Sequence, residues 1–383
     1  MTDSTSHTQS APTRGTQQLV LLGAGHAHLQ VLMQLAALPL PGTVVTLITP
    51  HPRQMVASMV PGFVAGHYPL EDFVIPLEPL VQRSGIRWLQ RSVTAVNAQA
   101  QTVQLDDGST VAFDWLSVNA DPVQDREQIE HDIPGAREHA LFIRPVEAFA
   151  ALWPRVAAMG DARPLRIAMV GTGASSLEMA LAVRHRLPNC AVTLVCGAQP
   201  PGNNYSPAVQ QRLQTVLKKR NVTVLQDVAV GLRADSVQLG CGADLACDVP
   251  LLATRAQAPQ WLANSGLALD ELGFLAVDMY QRSTSHSRVF AAVDASTRVD
   301  RALARSGVHA ARAGAALVYN LTAVAAGTAL KPHQAPGASL SLLACGDRYA
   351  LGTWKKYSAQ GWWLWWFKNW IDRRFMARYR VYE

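Results

Sequence analysis

Long apolar runs are missing from this sequence: nowhere do 18 uncharged apolar residues follow one another, so no spanning helix is expected. Cysteine is sparse and unpatterned. Its five copies (Cys190, Cys196, Cys241, Cys247 and Cys345) are odd in number and form no Cys-x-x-Cys, which argues against a disulfide framework and for free thiols in a reducing cytoplasm. Cys241 and Cys247 flank an expected hairpin turn without ligand spacing, and no acid cluster supports a metal at His26 and His28. Charge is scarce at 16% of residues, and the net +6 is too diffuse to imply nucleic acid. An apolar leader is also missing. Residues Met1 to Gln18 are polar and Ser/Thr-rich, and read as a disordered tail rather than a secretory signal.

What is present is a well-cored chain, 49% hydrophobic over 383 residues, long enough for two or three domains. Its organising stretch is Leu19 to Gln30. Four apolar residues predict a buried strand, Gly23 and Gly25 a tight turn, and Leu29, Val31, Leu32, Met33 and Leu35 the apolar face of a helix. A strand, Gly-x-Gly turn and helix make an anion site, because the second glycine admits a pyrophosphate to free N–H groups at the positive end of the helix. The usual third small residue is His28 here. The pattern restarts about 150 residues later: strand 165–170, the turn Gly171-Thr-Gly173-Ala-Ser-Ser176, then a helix over 177–185. Two such units are far more specific than one.

Between them, Thr43 to Ile48 predicts a second buried strand. An acid at its end would bind an adenosine ribose, but Thr49 and Pro50 stand there. Met55 to Tyr68 breaks periodicity at Pro61, Gly62 and Gly66, and reads either as a loop against a cofactor ring or as a Pro-Gly turn. Strands are expected at 86–89, 92–96, 102–105 and 113–118, a polar linker over 123–138, and an amphipathic helix over 146–159. Later strands are expected at 192–195, 222–225, 249–253, 273–277 and 289–293, with a meander over 227–248 and a long Ala-rich helix from Ser306 to Val324.

The C-terminus is the strongest local anomaly. Residues 361–380 hold five of the ten tryptophans. At helical spacing Trp363, Trp366, Phe367, Trp370, Ile371 and Phe375 share a face, with Lys368, Asp372 and Arg373 opposite. From Lys368 to Arg380 there are five cations and one anion. An aromatic face backed by cations suits a helix lying in a membrane interface, and the plain alternative is packing on the protein or on a second subunit.

Taken together, the chain resembles the flavoproteins with two dinucleotide-binding domains: pyridine nucleotide-disulfide oxidoreductases, type II NADH dehydrogenases and sulfide:quinone oxidoreductases. More closely, it is similar to the NADH-dehydrogenase-like flavoproteins sometimes fused to selenophosphate synthetase. The resemblance covers roughly 18–380 and is carried by Leu22-Gly-Ala-Gly-His-Ala-His28, Met59-Val-Pro-Gly62 with Ala65-Gly-His-Tyr68, and Trp370-Ile-Asp-Arg-Arg-Phe375. It implies an α/β fold of two Rossmann-like domains, the second inserted in the first, plus an amphipathic C-terminal helix. The expected division is a tail over 1–17, an FAD-binding domain over 18–145 and 271–335, an NAD(P)-binding-like domain over 146–270, and a membrane or interface segment over 336–383.

The resemblance further implies FAD, NAD(P)H as donor and a quinone-like acceptor, for a peripheral protein on the cytoplasmic face of the inner membrane with Trp362 to Arg380 on the lipid. A homodimer is also compatible. Gly23, Gly25, His26 and Ala27 would hold the FAD pyrophosphate. Thr49 and the Val93 backbone would serve the adenosine, and Pro61 would lie by the cofactor ring. Asp294 would reach the ribityl or pyrophosphate part, and Ser306, Gly307 and Val308 the flavin ring. Gly171, Gly173 and Ser175 would receive the nicotinamide dinucleotide, with Glu178 near its nicotinamide end.

Departures from that pattern are specific. Cys196-Gly197 replaces the second ribose acid, Arg255 stands where the family has glycine, and Val293 precedes Asp294 where glycine admits the cofactor. They leave NADH against NADPH open and keep two other readings in view: a divergent non-catalytic nucleotide-binding or membrane-associated protein, and a redox partner in selenium metabolism. A disulfide reductase is disfavoured because no cysteine pair follows the first helix. Sulfide oxidation is disfavoured because Cys345 stands alone.

Overall fold

The computed structural model describes residues 16–254, 256–301, 303, 307–334 and 340–380. Residues 1–15 of the tail expected over 1–17, and Arg255, lie outside the described residues. In chain order, β1 (Gln17–Leu22) passes through the glycine turn into α1 (His26–Ala37), followed by β2 (Thr43–Ile48), α2 (Val60–Val64), β3 (Arg87–Leu89) and β4 (Trp115–Val118). Then come β5 (Leu141–Phe142), α3 (Val146–Ala162), β6 (Arg166–Val170), α4 (Ala174–Arg186), β7 (Ala191–Val195), α5 (Pro207–Lys219), β8 (Val222–Leu225) and β9 (Val249–Leu252). The chain continues through β10 (Val289–Ala291), α6 (Gly307–Ala326), β11 (Ser341–Ala344), β12 (Ala350–Trp354), β13 (Tyr357–Gly361) and α7 (Trp362–Ala377).

Two five-stranded parallel sheets result, in the orders β10-β4-β1-β2-β3 and β5-β9-β6-β7-β8. Each central strand, β1 or β6, is flanked by a strand that follows it closely and by one that returns from far along the chain. Strand order therefore reverses beside it, and a crevice opens at its carboxyl end. Those ends are Leu22 and Val170, immediately before the two glycine turns. Helix burial follows the spacing read from the sequence: Ala27, Leu29, Val31, Leu32 and Leu35 turn inward on α1. One apolar core runs continuously from the α1 side of the first sheet to the α4 side of the second, through Phe149 and Trp153 of α3.

Local departures from the sequence reading have physical causes. β1 starts at Gln17, since pairing with Thr43 and Val44 uses only backbone groups. The expected linker holds helices Arg126–Asp132 and Ala136–His139. Asp125 caps the first, and Ile129, Ile133 and Ala136 bury against the second sheet. Residues 57–64 coil into two short helical turns, because proline is tolerated in a first helical turn.

The C-terminal segment is more than a helix. β11, β12 and β13 form an antiparallel sheet, and α7 lies across it with Leu364 and Trp365 packed on Ala350. The orientation of α7 also corrects the expectation. Trp362, Trp363, Trp366, Phe367 and Trp370 are exposed, but Lys368 and Asp372 lie on the inner face, and Ile371 and Phe375 are only partly exposed. Burial of those two charges is compensated internally. Lys368 Nζ donates to Asp372 Oδ2 at 2.7 Å and to the Ser58 carbonyl at 2.8 Å, while the Ser58 hydroxyl donates to Asp372 Oδ1 at 3.2 Å.

His28 shows how a large polar residue replaces the third glycine. Its ring is fully enclosed, with Nδ1 2.6 Å from the Gly23 carbonyl and Nε2 2.8 Å from Ser117 Oγ. A carbonyl only accepts, so Nδ1 carries the proton and Nε2 accepts from the serine. Burial drives its pKa from 6.5 down to about 4, against the opposing pull of the Gly23 carbonyl. The unfolded chain therefore binds a proton below pH 6.5 that the folded chain refuses until about 4. Stability rises with pH across that window and is fully present above it, with a swing of about 3 kcal/mol. Urea unfolding at pH 5 and 7.5 should register this slope. In His28→Gln the slope should flatten over the same window, whatever the variant's absolute stability.

Candidate functional site

The first turn is shaped by the chain that leaves β4. Gly23 has φ +82, and a Cβ there would fall 2.6 Å from the Asn119 carbonyl oxygen and 2.7 Å from Ala120 Cα. Only glycine permits that approach. The Asn119 carbonyl accepts from Gly25 N at 3.1 Å, and its side-chain Oδ1 accepts from Ala27 N at 2.9 Å and His28 N at 3.1 Å. Asn119 thus caps α1, which has no side-chain cap of its own and no acid in its first turn.

Around this turn lie buried polar atoms with no protein hydrogen bond within 3.5 Å: His26 Nδ1, Asn119 Nδ2 and Asp294 Oδ2. Asp294 follows β10, and its Oδ2 is 3.9 Å from His26 Nδ1. Burial pushes the Asp294 carboxyl up to about 6; His26 opposes this and Asp121 adds to it. Buried unpaired polar atoms each cost about 1–3 kcal/mol, so this cluster fits a polar ligand that satisfies them. The His26 ring packs on Phe375 of α7, with centroids 5.1 Å apart.

From the turn a cleft of about 260 Å³ runs along the carboxyl ends of the strands, lined by Gly23, Thr49, Arg53, Val93, Asp121 and Arg144 among others. Thr49 and Val93, far apart in sequence, meet here. Arg53 Nε donates to Glu147 Oε1 at 2.8 Å, and Gln54 Nε2 to Asp121 Oδ2 at 2.8 Å, so cations and acids are both held against the opening. Polar groups of both signs at the carboxyl ends of the strands suit the polar parts of a dinucleotide such as FAD. Pro61 does not line this cleft. It is buried in α2, three residues after Ser58. Val293, expected to crowd a cofactor, instead packs against Ala313 of α6. Ser306 lies outside the described residues; Gly307 and Val308 begin α6.

The second turn repeats the geometry. A Cβ on Gly171 would fall 2.4 Å from the Ala253 carbonyl oxygen, while Gly173 faces open space at the N-terminus of α4 and Ser175 is exposed in its first turn. Cys196, where a ribose acid would stand, turns inward: its Sγ is 3.4 Å from the Leu225 carbonyl and 3.5 Å from that of Gln199. Burial raises its pKa.

Glu178 lies one turn further along α4. Its Oε1 accepts from Ala344 N in β11 at 2.8 Å. Burial raises its pKa to about 7, against the pull of Lys368 and the Ala344 N–H, with Asp372 adding to the rise. Burial alone would depress the Lys368 ammonium, but Asp372 and Glu178 outweigh it and hold it above its ordinary value. The structure thus joins Gly23, Gly25, His26, Ala27 and Asp294 in one cluster, Thr49 and Val93 in the adjoining cleft, and Gly171, Gly173 and Ser175 at the second turn. It links Glu178 to Lys368 and Asp372 beneath α7. Sequence reasoning missed Asn119 as the cap of α1; its position at the end of an expected strand was the available signal.

The geometry makes one direct prediction. A Cβ on Gly25 would lie 2.7 Å from Asn119 Cγ and 2.7 Å from its carbonyl oxygen. Gly25→Val should therefore abolish FAD retention, read as loss of visible absorbance in the purified protein, whereas Gly173→Ala, which meets open space, should retain it.

Residues 17–315 match the family model described as pyridine nucleotide-disulphide oxidoreductase. The chain is 26% identical over 187 residues to demethylphylloquinone reductase NdbB of Synechocystis sp., covering 46% of this chain and 45% of that protein. It is 28% identical over 131 residues to type II NADH:quinone oxidoreductase of Staphylococcus aureus, covering 34% of this chain and 31% of that one. It therefore spans less than half the length of either relative. Its fold is similar to that of sulfide:quinone oxidoreductase from Aquifex aeolicus, with TM-score 0.77 and 16% identity over 95% of this chain and 91% of that one. With two glycine turns at two strand-order reversals and a family match across most of its length, the chain belongs to the pyridine nucleotide-disulphide oxidoreductases.

Proposed function

We propose that this chain passes electrons from NAD(P)H through FAD to a quinone-like acceptor at a membrane surface. The observation that carries the reading is the cluster of unpartnered buried polar atoms at the first glycine turn, repeated in outline by a second open turn. When bound, FAD would accept a hydride from the nicotinamide and release electrons to the second substrate. The residues of the chain position, enclose and balance charge. Gly23 and Gly25 would let the pyrophosphate approach the start of α1 at His26 and Ala27, where the Ala27 N–H is held by Asn119 Oδ1. Thr49 and the Val93 backbone serve the adenosine, Pro61 supports the loop beside the ring, and Asp294 and the His26 ring face the remainder. The start of α6 at Gly307 and Val308 would supply N–H groups to the ring edge. Gly171, Gly173 and Ser175 receive the donor nucleotide. Burial raises the Glu178 carboxyl to about 7 beside Lys368, so it would hold or release a proton near neutral pH with Lys368 balancing its charge.

An acceptor at a membrane is supported by the outer face of α7, where five aromatic side chains stand exposed and Arg373 and Arg374 follow. Among the described residues no helix is long and apolar enough to cross a membrane, which suits a peripheral protein on the inner face of the cell membrane. The relatives named for quinones support the acceptor class. A second reading, a protein that binds FAD but has lost donor binding, is favoured by one observation, the inward Cys196 thiol where a ribose acid is expected.

Anaerobic visible spectra decide between the two. Flavin bands that bleach with NADH or NADPH support the oxidoreductase and name its donor. Bands that persist with both nucleotides indict the second turn, and no flavin after reconstitution overturns both readings. For the membrane, replacing Trp362, Trp366 and Trp370 by serine in the full chain should lower co-sedimentation with anionic vesicles at low salt. Equal partitioning would assign the aromatic face to protein packing or a homodimer.

A further inference from the structure

We infer that the tip of the β12–β13 hairpin is a second contact for an anionic lipid surface, working with α7 to fix how the protein lies on it. This rests on the membrane reading above and extends it to residues outside the aromatic helix.

The tip is four residues. Trp354 and Tyr357 close the strand ladder opposite each other, their rings stacked with centroids 6.4 Å apart and interplanar angle 20°. They are 45% and 61% exposed. Between them, Lys355 and Lys356 make the turn. The Lys355 ammonium lies 5.1 Å from the Trp354 ring centroid and that of Lys356 5.6 Å from the Tyr357 centroid. Two aromatic rings, each paired with a cation, thus project together from the end of a sheet. Aromatic rings settle at the headgroup level of a bilayer, and lysines there meet anionic lipid.

Three further observations favour lipid over other occupants. First, Lys355 has φ +54, a conformation that hairpins usually assign to glycine or asparagine, so a cation stands where the turn itself would prefer another residue. Second, no acidic residue occurs from Arg348 to Ile371, while the exposed cations Arg348, Lys355 and Lys356 do, so the segment carrying the hairpin is complementary to an anionic surface. Third, the protrusion is narrow: four exposed side chains suit insertion among headgroups better than a protein interface, which buries roughly 800 Å² on each partner.

The spacing to α7 gives the second contact its purpose. β13 runs from Tyr357 to Gly361, and Trp362 follows directly. Five extended residues separate the tip from the helix by about 17 Å. Both belong to one sheet-and-helix unit, packed through Ala350, Leu364 and Trp365. A single helix can roll about its axis on a membrane, whereas two contacts on one rigid unit cannot. The hairpin would thereby hold the inner face of α7, with Lys368, Asp372 and Phe375, in a fixed relation to the lipid.

The test uses the full chain and three variants: Lys355→Gln with Lys356→Gln, Trp354→Ser with Tyr357→Ser, and Trp362→Ser with Trp366→Ser and Trp370→Ser. Each is checked for an unchanged thermal transition and then co-sedimented at low salt with vesicles of phosphatidylcholine alone or mixed with phosphatidylglycerol. The lysine variant should lose about 30-fold in affinity for the mixed vesicles, the worth of two near-surface lysines, and change little on phosphatidylcholine. The Trp354/Tyr357 variant should weaken binding to both. Hairpin variants that partition like the unaltered chain, while the α7 variant does not, overturn this inference and leave the membrane reading intact. Loss in the hairpin variants with none in the α7 variant supports the hairpin and removes the helix. An unaltered chain that binds neither vesicle overturns both.

Discussion

The close approach of the β4 chain end to the first glycine turn is the constraint on which the rest of the site depends. Asn119 and Ala120 press against Gly23 at distances no side chain could share, and this sets where α1 begins. The helix has no cap of its own, so its N–H groups at Ala27 and His28 are satisfied by the Asn119 side chain. The His28 ring then pins the same helix to β1 and β4 through the Gly23 carbonyl and the Ser117 hydroxyl. Two strand ends and one helix are thereby held in one arrangement. Within it His26, Asn119 and Asp294 each keep a polar atom unpaired, a cost in the ligand-free protein that a bound dinucleotide would remove.

A second arrangement, beneath α7, links all three parts of the chain. Lys368 and Asp372 come from the C-terminal helix, Ser58 from the segment before α2, and Glu178 from α4 of the second unit. The ion pair is nearly closed from solvent, and removing one partner would leave an uncompensated buried charge, which is far more destabilising than replacing both. This explains why an aromatic helix remains a well-placed part of the fold rather than an appended tail. Its outer face is free because its inner face is committed, and Phe375 on that inner side reaches the His26 ring at the first turn. The proposed lipid contact and the proposed cofactor turn therefore share one helix.

Much of this was legible beforehand because it depends on local rules. The two strand-turn-helix units and their glycines follow from apolar runs and from the geometry that only glycine adopts, and both sheets formed where those runs lie. The amphipathic character of 362–377 was equally plain. Its rotation was not. Periodicity places Lys368 and Asp372 side by side but says nothing of which way they face when each neutralises the other. The three C-terminal strands were missed because their stabilising partner is α7 itself, and the short helices of 123–139 because a few apolar residues find burial only on a sheet formed much later in the chain.

The sequence by itself determined the two dinucleotide-type units, the glycine turns that open them, and the aromatic, cationic end of the chain, since each rests on the conformational freedom or polarity of contiguous residues. Only the tertiary structure decided which polar atoms meet. It brought Asn119 onto α1, Asp294 within reach of His26, and Glu178 under Lys368. It also turned Val293 toward Ala313 and Cys196 into the core. The physical reason is that burial and electrostatics act between residues tens to hundreds of positions apart in sequence, and their outcome is fixed by how helices and sheets pack rather than by any local pattern.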